Sequence, residues 1–153
     1  MNYAAIKRRD VANGPGVRVS LFVSGCTHAC PGCFNPEAWD FSYGQPFTPE
    51  VEEQLIQDLT PDYIKGFSLL GGEPFDPQNQ PALAPFLKRL RKELPGKTVW
   101  CYTGYLFDRD LQPGGRARTE DTDAMLDCID VLVDGPFVLA QKDLALRFRG
   151  SSN

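Results

Sequence analysis

The sequence predicts an α/β fold in which mostly parallel strands form a partial, TIM-like barrel or an open curved sheet, with helices on the outside. Segments of strand and helix character alternate along the chain, which implies parallel strands joined by right-handed crossovers. A complete eightfold barrel typically needs about 250 residues. This chain has 153 residues, enough for part of a barrel and for one domain with its own core.

The first strands flank a turn. Residues 3–10 predict a short strand, and Asn-Gly-Pro-Gly at 13–16 predicts a tight turn, more typical of a connection than of a ligand contact. Residues 17–24 have strand composition, with apolar side chains alternating onto one face. A cysteine-rich loop follows, and a connection rich in proline, glycine and aromatic residues leads to residue 47.

The first helix has clear boundaries. Thr48 has the character of an N-cap, Pro49 suits the first helical position, and acidic residues occupy the first turn. Pro61 lies just beyond the expected end. The apolar residues that recur on one helical face are Val51, Leu55, Ile56 and Leu59.

The remaining elements continue the alternation. Strands are predicted at 66–70, 98–103 and 131–134, and helices at 83–94 and 121–128. Pro81 and Pro85 are expected only in or before the first turn of the second helix, because proline lacks a backbone donor. Residues 106–118 predict a polar loop with a short helix near its start, and the mixed composition from residue 138 onward predicts no particular secondary structure.

Composition excludes several classes of function. The net charge of −4 and the absence of any Lys/Arg run argue against a nucleic-acid binder. The first residues lack an apolar signal core, and no stretch is apolar and long enough to cross a bilayer. The odd number of five cysteines, together with the expected lack of a secretory signal, argues against a disulfide framework and favours a reducing cytoplasmic location.

Three cysteines form the most informative motif. Cys26, Cys30 and Cys33 are spaced C-x3-C-x2-C on one short loop after a predicted strand. Thiolates suit iron–sulfur clusters, zinc or copper(I). A four-iron cluster normally takes four cysteines, so three would leave one iron open for a ligand. His28 lies between two of the cysteines and leaves a zinc site open as an alternative, although its spacing is not that of common zinc modules.

Four segments that carry candidate functional residues follow the ends of predicted strands: the cysteine loop and residues 71–74, 103–105 and 134–137. The carboxyl ends of parallel strands lie on one edge of a sheet, where ligands bind. Gly71 and Gly72 would let the backbone approach a ligand closely, or simply form a turn. Ser68, Thr103 and Asp134 are candidate ligand contacts from their expected positions at strand ends.

The C-x3-C-x2-C motif with Phe34 next to it, followed by Gly71-Gly72-Glu73, resembles the signature of radical S-adenosylmethionine (SAM) enzymes. Further motifs resemble one subgroup, the glycyl-radical-activating proteins that serve anaerobic ribonucleoside-triphosphate reductases. These motifs occupy residues 13–16, 21–26, 30–33, 44–47, 71–74, 103–105, 131–135 and 149–153. They span nearly the whole chain and imply a single radical SAM domain over 1–153. The family usually continues a few residues further, which leaves room for a short C-terminal tail.

The resemblance implies a chemistry. Cys26, Cys30 and Cys33 would hold a [4Fe–4S] cluster whose open iron takes the amino and carboxylate groups of SAM. A flavodoxin-type donor would reduce the cluster, and cleavage of SAM would yield a 5′-deoxyadenosyl radical. That radical would remove hydrogen from a glycine of the large reductase subunit. The resemblance places the backbone of Gly71 and Gly72, with help from Glu73, at the methionine ammonium, and Phe34 near the adenine.

The residue patterns also allow other roles and other functions. Glu73 could be a carboxylate of a turn or helix start, and Phe34 could shield a cluster from water. A pyruvate formate-lyase type of activator, or a radical SAM enzyme acting on a small molecule, would share the main motifs. A fourth cluster ligand from Cys101 would instead make an electron carrier. Buried, inert thiols are the favoured interpretation of Cys101 and Cys128.

Overall fold

The computed structural model describes residues 1–26 and 40–135, which form a mixed α/β unit. The strands are β1 (Asn2–Asp10), β2 (Val17–Val23), β3 (Gln45–Pro46), β4 (Ile64–Gly71), β5 (Thr98–Tyr102) and β6 (Val131–Val133). The helices are α1 (Pro49–Leu59), α2 (Gln80–Glu93) and α3 (Thr122–Asp127). Apart from the two-residue strand β3, the predicted alternation of strands and helices is confirmed from β2 onward.

The strands form one sheet in the order β3-β1-β2-β4-β5-β6. The four strands β2, β4, β5 and β6 are mutually parallel, as predicted. The first strand β1 instead pairs antiparallel with β2, because the connection at 11–16 is too short for the crossover that parallel strands require. The mostly parallel α/β sheet is confirmed, while its curvature into a partial barrel stays a prediction.

One face of this sheet packs against the helices. Val19, Phe67 and Val99 stand side by side on β2, β4 and β5, and all three are fully buried. The rings of Phe67 and Phe86 meet edge to face with their centroids 5.4 Å apart, which joins β4 to α2. Apolar alternation along the central strands therefore builds the core between the sheet and the helices.

Helix α1 begins and ends where the sequence predicts. The Thr48 hydroxyl accepts a hydrogen bond from the backbone N–H of Val51 at 3.3 Å, and Pro49 is the first helical residue. Leu55, Ile56 and Leu59 are buried, as their helical spacing predicts. Local capping chemistry was sufficient to define this element.

Helix α2 starts earlier than predicted, at Gln80 rather than 83, and contains Pro85 in its interior. The expectation that Pro85 lies in or before the first turn is therefore wrong. Pro85 has no N–H, so it cannot donate the usual helical hydrogen bond to the carbonyl of Pro81. Both prolines are exposed, so water can satisfy that carbonyl instead. The buried residues Leu83, Phe86 and Leu87 hold the helix against the sheet.

Smaller differences occur outside the core. The two-residue strand β3 was not predicted; it pairs antiparallel with the start of β1. Residues 107–110 form turns rather than the short helix expected near the start of the 106–118 loop. The third helix spans six residues, shorter than predicted. None of the helices in residues 1–26 and 40–135 is long and apolar enough to cross a membrane.

The face of the sheet opposite the helices carries Arg18, whose side chain is fully buried. Its guanidinium uses all five N–H donors. Nε donates to the Ser68 hydroxyl at 2.8 Å. Nη1 donates to the carbonyl of Pro15 and the hydroxyl of Thr98, and Nη2 to the carbonyls of Phe67 and Thr98. This one side chain ties together the first halves of β2, β4 and β5.

Asp10, the last residue of β1, lies beside Arg18. Its carboxylate accepts hydrogen bonds from the Ser20 hydroxyl and the Asn13 amide, both at 2.6 Å, and from the backbone N–H of Ala12. Burial by itself would raise the pKa of Asp10, but these hydrogen bonds outweigh burial and the pKa is lowered. The group that we call the Arg18 cluster consists of Asp10, Asn13, Arg18, Ser20, Ser68 and Thr98.

Candidate functional site

The carboxyl ends of the parallel strands share one edge of the sheet. β2 ends at Val23, β4 at Gly71, β5 at Tyr102 and β6 at Val133. The loop after β2 is described as far as Cys26, and the segment after β6 as far as Gly135. We call the described residues at and just beyond these strand ends the site edge: 24–26, 71–73, 103–105 and 134–135.

The loop after β4 lies directly against the loop after β2. The backbone N–H of Gly72 donates to the carbonyl of Val23 at 2.8 Å, and that of Glu73 donates to the carbonyl of Gly25 at 2.7 Å. Gly71 has a φ of +111°, and a Cβ built there would lie 2.5 Å from the Val23 nitrogen. The close approach of the two backbones therefore requires glycine at position 71.

Glu73 joins the loop after β4 to the loop after β5. Its side chain is fully buried. Oε2 accepts from the Thr103 hydroxyl at 2.6 Å and from the backbone N–H of Phe75 at 2.9 Å, and Oε1 accepts from the backbone N–H of Gly104 at 2.7 Å. Both oxygens of this carboxylate are thus used to hold the two loops in a fixed relation.

The loop after β5 is in turn bonded to the end of β6. The backbone N–H of Thr103 donates to the carbonyl of Val133, and that of Gly135 donates to the carbonyl of Tyr105, both at 2.9 Å. The Asp134 carboxylate accepts from the backbone N–H of Phe107 at 2.9 Å. The described parts of all four predicted segments therefore meet through a continuous series of hydrogen bonds.

Cys26 is the one predicted cluster ligand that the structure describes, and it is half-buried at the site edge. It follows Gly25, where a Cβ would overlap the ring of Phe41, so the two described flanks of the cysteine segment touch. Cys30, Cys33, Phe34 and also His28 lie outside the described residues. Within residues 1–26 and 40–135 no three metal-ligating side chains gather.

The structure does not bring Ser68 to this edge. β4 continues to Gly71, so Ser68 lies within the strand, opposite Ser20 and Trp100. Its hydroxyl donates to the carbonyl of Asn13 at 2.6 Å and accepts from Arg18. Ser68 thus belongs to the Arg18 cluster, and its contact with a cofactor remains only a prediction.

The two remaining cysteines are both buried. Cys101 has no exposed surface and belongs to the core on the helix side of β5. Burial, with a further contribution from the Glu73 carboxylate, raises the pKa of its thiol well above the usual value. Burial also raises the pKa of Cys128. Both thiols are buried, as predicted, which is typical of cysteines that serve in packing.

Tyr102, the last residue of β5, has a phenol that interacts electrostatically with Arg18 and Asp10, and the sequence did not single it out. It precedes Thr103, and its hydroxyl is buried without a hydrogen-bond partner among the residues that the structure describes. Burial raises the pKa of the phenol to about 12. Buried polar groups are normally paired, so this hydroxyl is suited to a water or a bound molecule. No sequence signal distinguishes it from other strand tyrosines.

The donor set fits an iron–sulfur cluster with an adjoining organic cofactor. A half-buried thiol, Cys26, opens the cysteine segment. Beside it, the loop of Gly71 and Gly72 offers backbone without side chains at a strand end, the usual location for a bound cofactor.

Comparisons with known proteins agree over almost the whole chain. Residues 12–153 match the family model described as a 4Fe-4S single cluster domain. The anaerobic ribonucleoside-triphosphate reductase-activating protein of Escherichia coli K12 is 48% identical, over 100% of this chain and 96% of its own. Its counterpart in Vibrio cholerae is 44% identical, over 100% and 95%. The protein of that name in Enterobacteria phage T4 is 37% identical, over 100% and 91%.

Proposed function

The chain belongs to the 4Fe-4S single cluster domain family and to the anaerobic ribonucleoside-triphosphate reductase-activating proteins, and we propose that it activates such a reductase by radical chemistry on SAM. The single observation that carries the proposal is the 2.7 Å hydrogen bond from the Glu73 backbone to the Gly25 carbonyl. It places the glycine-rich loop against the segment that bears Cys26, so a cluster and its cofactor would share one site.

The residues have separate roles in this proposal. Cys26, Cys30 and Cys33 hold a [4Fe–4S] cluster through their thiolates. The chemistry that a bound cluster would supply is one-electron reduction of SAM, which would cleave the sulfonium C–S bond to methionine and a 5′-deoxyadenosyl radical able to take a hydrogen atom from a glycine of the partner. The protein supplies position and exclusion of water, as is usual for enzymes whose cofactors carry the chemistry.

The loops of the site edge would hold SAM. The backbone of Gly71 and Gly72 receives its ammonium group, and Glu73 contributes negative charge while fixing both loops. Thr103 orients the Glu73 carboxylate through its 2.6 Å hydrogen bond. Phe34 follows the last cysteine in the sequence and would pack near the adenine.

The partners follow from the same proposal. The protein substrate is the large subunit of an anaerobic ribonucleoside-triphosphate reductase, because the named relatives are activators of that enzyme. A flavodoxin-type protein would supply the electron.

A parallel assay with pyruvate formate-lyase separates this proposal from the other type of glycyl-radical activator: the reductase subunit should acquire a glycyl radical and pyruvate formate-lyase should not.

The first experiment is anaerobic reconstitution with iron and sulfide, followed by EPR spectroscopy of the dithionite-reduced protein with and without SAM. We expect a reduced-cluster signal that changes when SAM is added, because three cysteines leave one iron open. A cluster signal that SAM does not alter would indicate an electron carrier. Protein that takes up zinc but assembles no cluster would contradict the proposal altogether.

A further inference from the structure

Asn79 occupies an unusual position at the start of α2. It is the N-cap residue, and asparagine in that position normally accepts a hydrogen bond from the first turn of its own helix. Here the side chain makes no capping bond. It is 1% exposed and turns away from α2 into the interior.

The Asn79 side-chain amide connects the two loops that meet at Cys26. Nδ2 donates to the carbonyl of Ser24 at 3.2 Å and to the carbonyl of Glu73 at 2.9 Å. A primary amide has two N–H donors, and each has a carbonyl acceptor here. One acceptor lies two residues before Cys26, and the other belongs to the glycine-rich loop.

Two backbone hydrogen bonds join the same loops. They consist of Gly72 N–H to Val23 and Glu73 N–H to Gly25, at 2.8 and 2.7 Å. The first continues the ladder from the last pair of β2 and β4, Val23 and Gly71, and the second lies beyond that pairing. Asn79 is anchored independently, because its backbone N–H donates to the carbonyl of Asp76 and its own carbonyl accepts from Leu83.

We propose that Asn79 is a positioning residue that holds the glycine-rich loop in register with the cysteine-bearing loop, so that SAM can contact both. This inference rests on the proposed function above. Asn79 would not touch SAM itself. It would act through the carbonyls of Ser24 and Glu73, and its loss would weaken SAM binding while the three cysteines still assemble a cluster.

The chain offers a closely matched control in the next residue. Gln80 is also fully buried, and its amide also donates to two carbonyls, those of Phe75 and Ala117, at 2.7 and 2.8 Å. Its Oε1 accepts from the hydroxyls of Thr119 and Thr122. Gln80 therefore makes more hydrogen bonds than Asn79 within the described residues, but none of these joins the cysteine-bearing loop.

The test compares Asn79→Ser with Gln80→Ser. Serine is a good N-cap, so Asn79→Ser keeps the start of α2 while its shorter hydroxyl, with one donor, cannot bond both carbonyls. Iron content after reconstitution should equal that of the wild type. The SAM concentration that gives half of the maximal change in the reduced-cluster EPR signal should rise about 10-fold in Asn79→Ser. Such a rise corresponds to the free energy of about one lost hydrogen bond. It should be unchanged in Gln80→Ser.

A second measurement does not need the cofactors. Hydrogen exchange of the Gly72 and Glu73 amides in cluster-free protein should be about 10-fold faster in Asn79→Ser than in the wild type. In Gln80→Ser the exchange rates of these two amides should equal those of the wild type, even though this variant should lower the melting temperature more than Asn79→Ser does. If the first variant is too unstable, Asn79→Thr, which also suits the N-cap position and has a single hydroxyl donor, takes its place.

The outcomes separate the two proposals. If wild-type protein shows no response to SAM, the proposed function fails, and the exchange rates alone decide whether Asn79 holds the loops together. If the wild type responds and Asn79→Ser keeps its SAM affinity and exchange rates, the positioning role is wrong. An equal loss of SAM affinity in Gln80→Ser would also overturn it, because the effect would then be general destabilisation.

Discussion

The strands β2, β4 and β5 have buried polar side chains near both ends, and the two groups differ in what they connect. Glu73 at the site edge, and Asn79 next to it, bond mainly to loop backbone and hold one loop against another. In the Arg18 cluster, a guanidinium bonds to the strands themselves and to the short turn between β1 and β2. The first group fixes the shape of a site, and the second fixes the sheet.

This difference agrees with a general property of parallel α/β folds, in which one strand end carries chemistry and the other carries stability. Two kinds of measurement should therefore separate the two regions. Changes at the site edge should affect metal and cofactor binding more than the free energy of unfolding. Changes in the Arg18 cluster should do the reverse.

The largest effect is expected from removing a predicted cluster ligand. Cys26→Ala, and likewise Cys30→Ala, should reduce iron bound after anaerobic reconstitution from about four atoms per chain to background, because two cysteines cannot retain the cluster. Since Cys26 is only half-buried, the melting temperature of the cluster-free protein should change little. Iron analysis and thermal unfolding measure the two quantities on the same sample.

Cys128→Ala is the matched control for this prediction. Cys128 is buried beside α3 and has a raised pKa, so it should contribute packing and no ligand. Iron content and activity should remain close to those of the wild type. Full iron content in Cys26→Ala, or loss of iron in Cys128→Ala, would show that the cysteines have been assigned to the wrong roles.

Much of the site edge could be predicted because local patterns determine it. The Thr48–Pro49 start of α1 and the apolar alternation of β2 each follow from a few neighbouring residues. Once the strands are known to be parallel, their carboxyl ends must share an edge, and this is enough to bring residues 71–73 and 103–105 together. The expectation that SAM is the cofactor came from a family resemblance and not from these patterns.

The other region could not be predicted because it depends on contacts distant in sequence. Alternation puts Arg18 on the face opposite the core, but it does not say that the 13–16 turn covers this face and buries the guanidinium. Ser68 was expected at a strand end because β4 is longer than its apolar run indicates. In the sequence, Asn79 cannot be told from an ordinary helix cap. Its link between two loops is visible only from its hydrogen-bond partners, the carbonyls of Ser24 and Glu73, which are 55 and 6 residues away.

A smaller but substantial effect is expected from Arg18→Lys. Lysine keeps the charge but has three donors instead of five, so at least two of the buried acceptors around position 18 lose their partner. The free energy of unfolding should fall by about 2–4 kcal/mol, since each unsatisfied buried group costs about 1–3 kcal/mol. Urea unfolding of the cluster-free protein measures the change.

Arg8→Lys is the control for the arginine substitution. Arg8 is 61% exposed and forms a surface ion pair with Asp58, so its replacement should cost no more than about 1 kcal/mol. In reconstituted Arg18→Lys, iron content and SAM affinity per folded molecule should equal those of the wild type. A loss of SAM affinity without a loss of stability would contradict the division between the two regions.

The smallest effect, and the one with a defined pH dependence, is expected from Asp10→Asn. The folded-state pKa of Asp10 lies below its ordinary value of 3.8 because hydrogen bonds from Ser20, Asn13 and Ala12 outweigh its burial. A depressed carboxyl pKa adds stability above the unfolded-state pKa, and this contribution disappears as the pH falls through the folded-state value. The substitution should therefore cost about 1–2 kcal/mol at pH 7 and progressively less below about pH 4.

Urea unfolding of cluster-free protein between pH 3 and pH 7 measures this dependence, with Asp62→Asn as a control that removes the same charge from an exposed position. The difference in unfolding free energy between Asp10→Asn and the wild type should narrow towards low pH. A difference that stays constant would mean that Asp10 contributes through packing and not as a charged acceptor. Because Asp10 lies beside Arg18 and away from the site edge, SAM affinity of the reconstituted variant at pH 7 should not change, and a change there would extend the site to the Arg18 cluster.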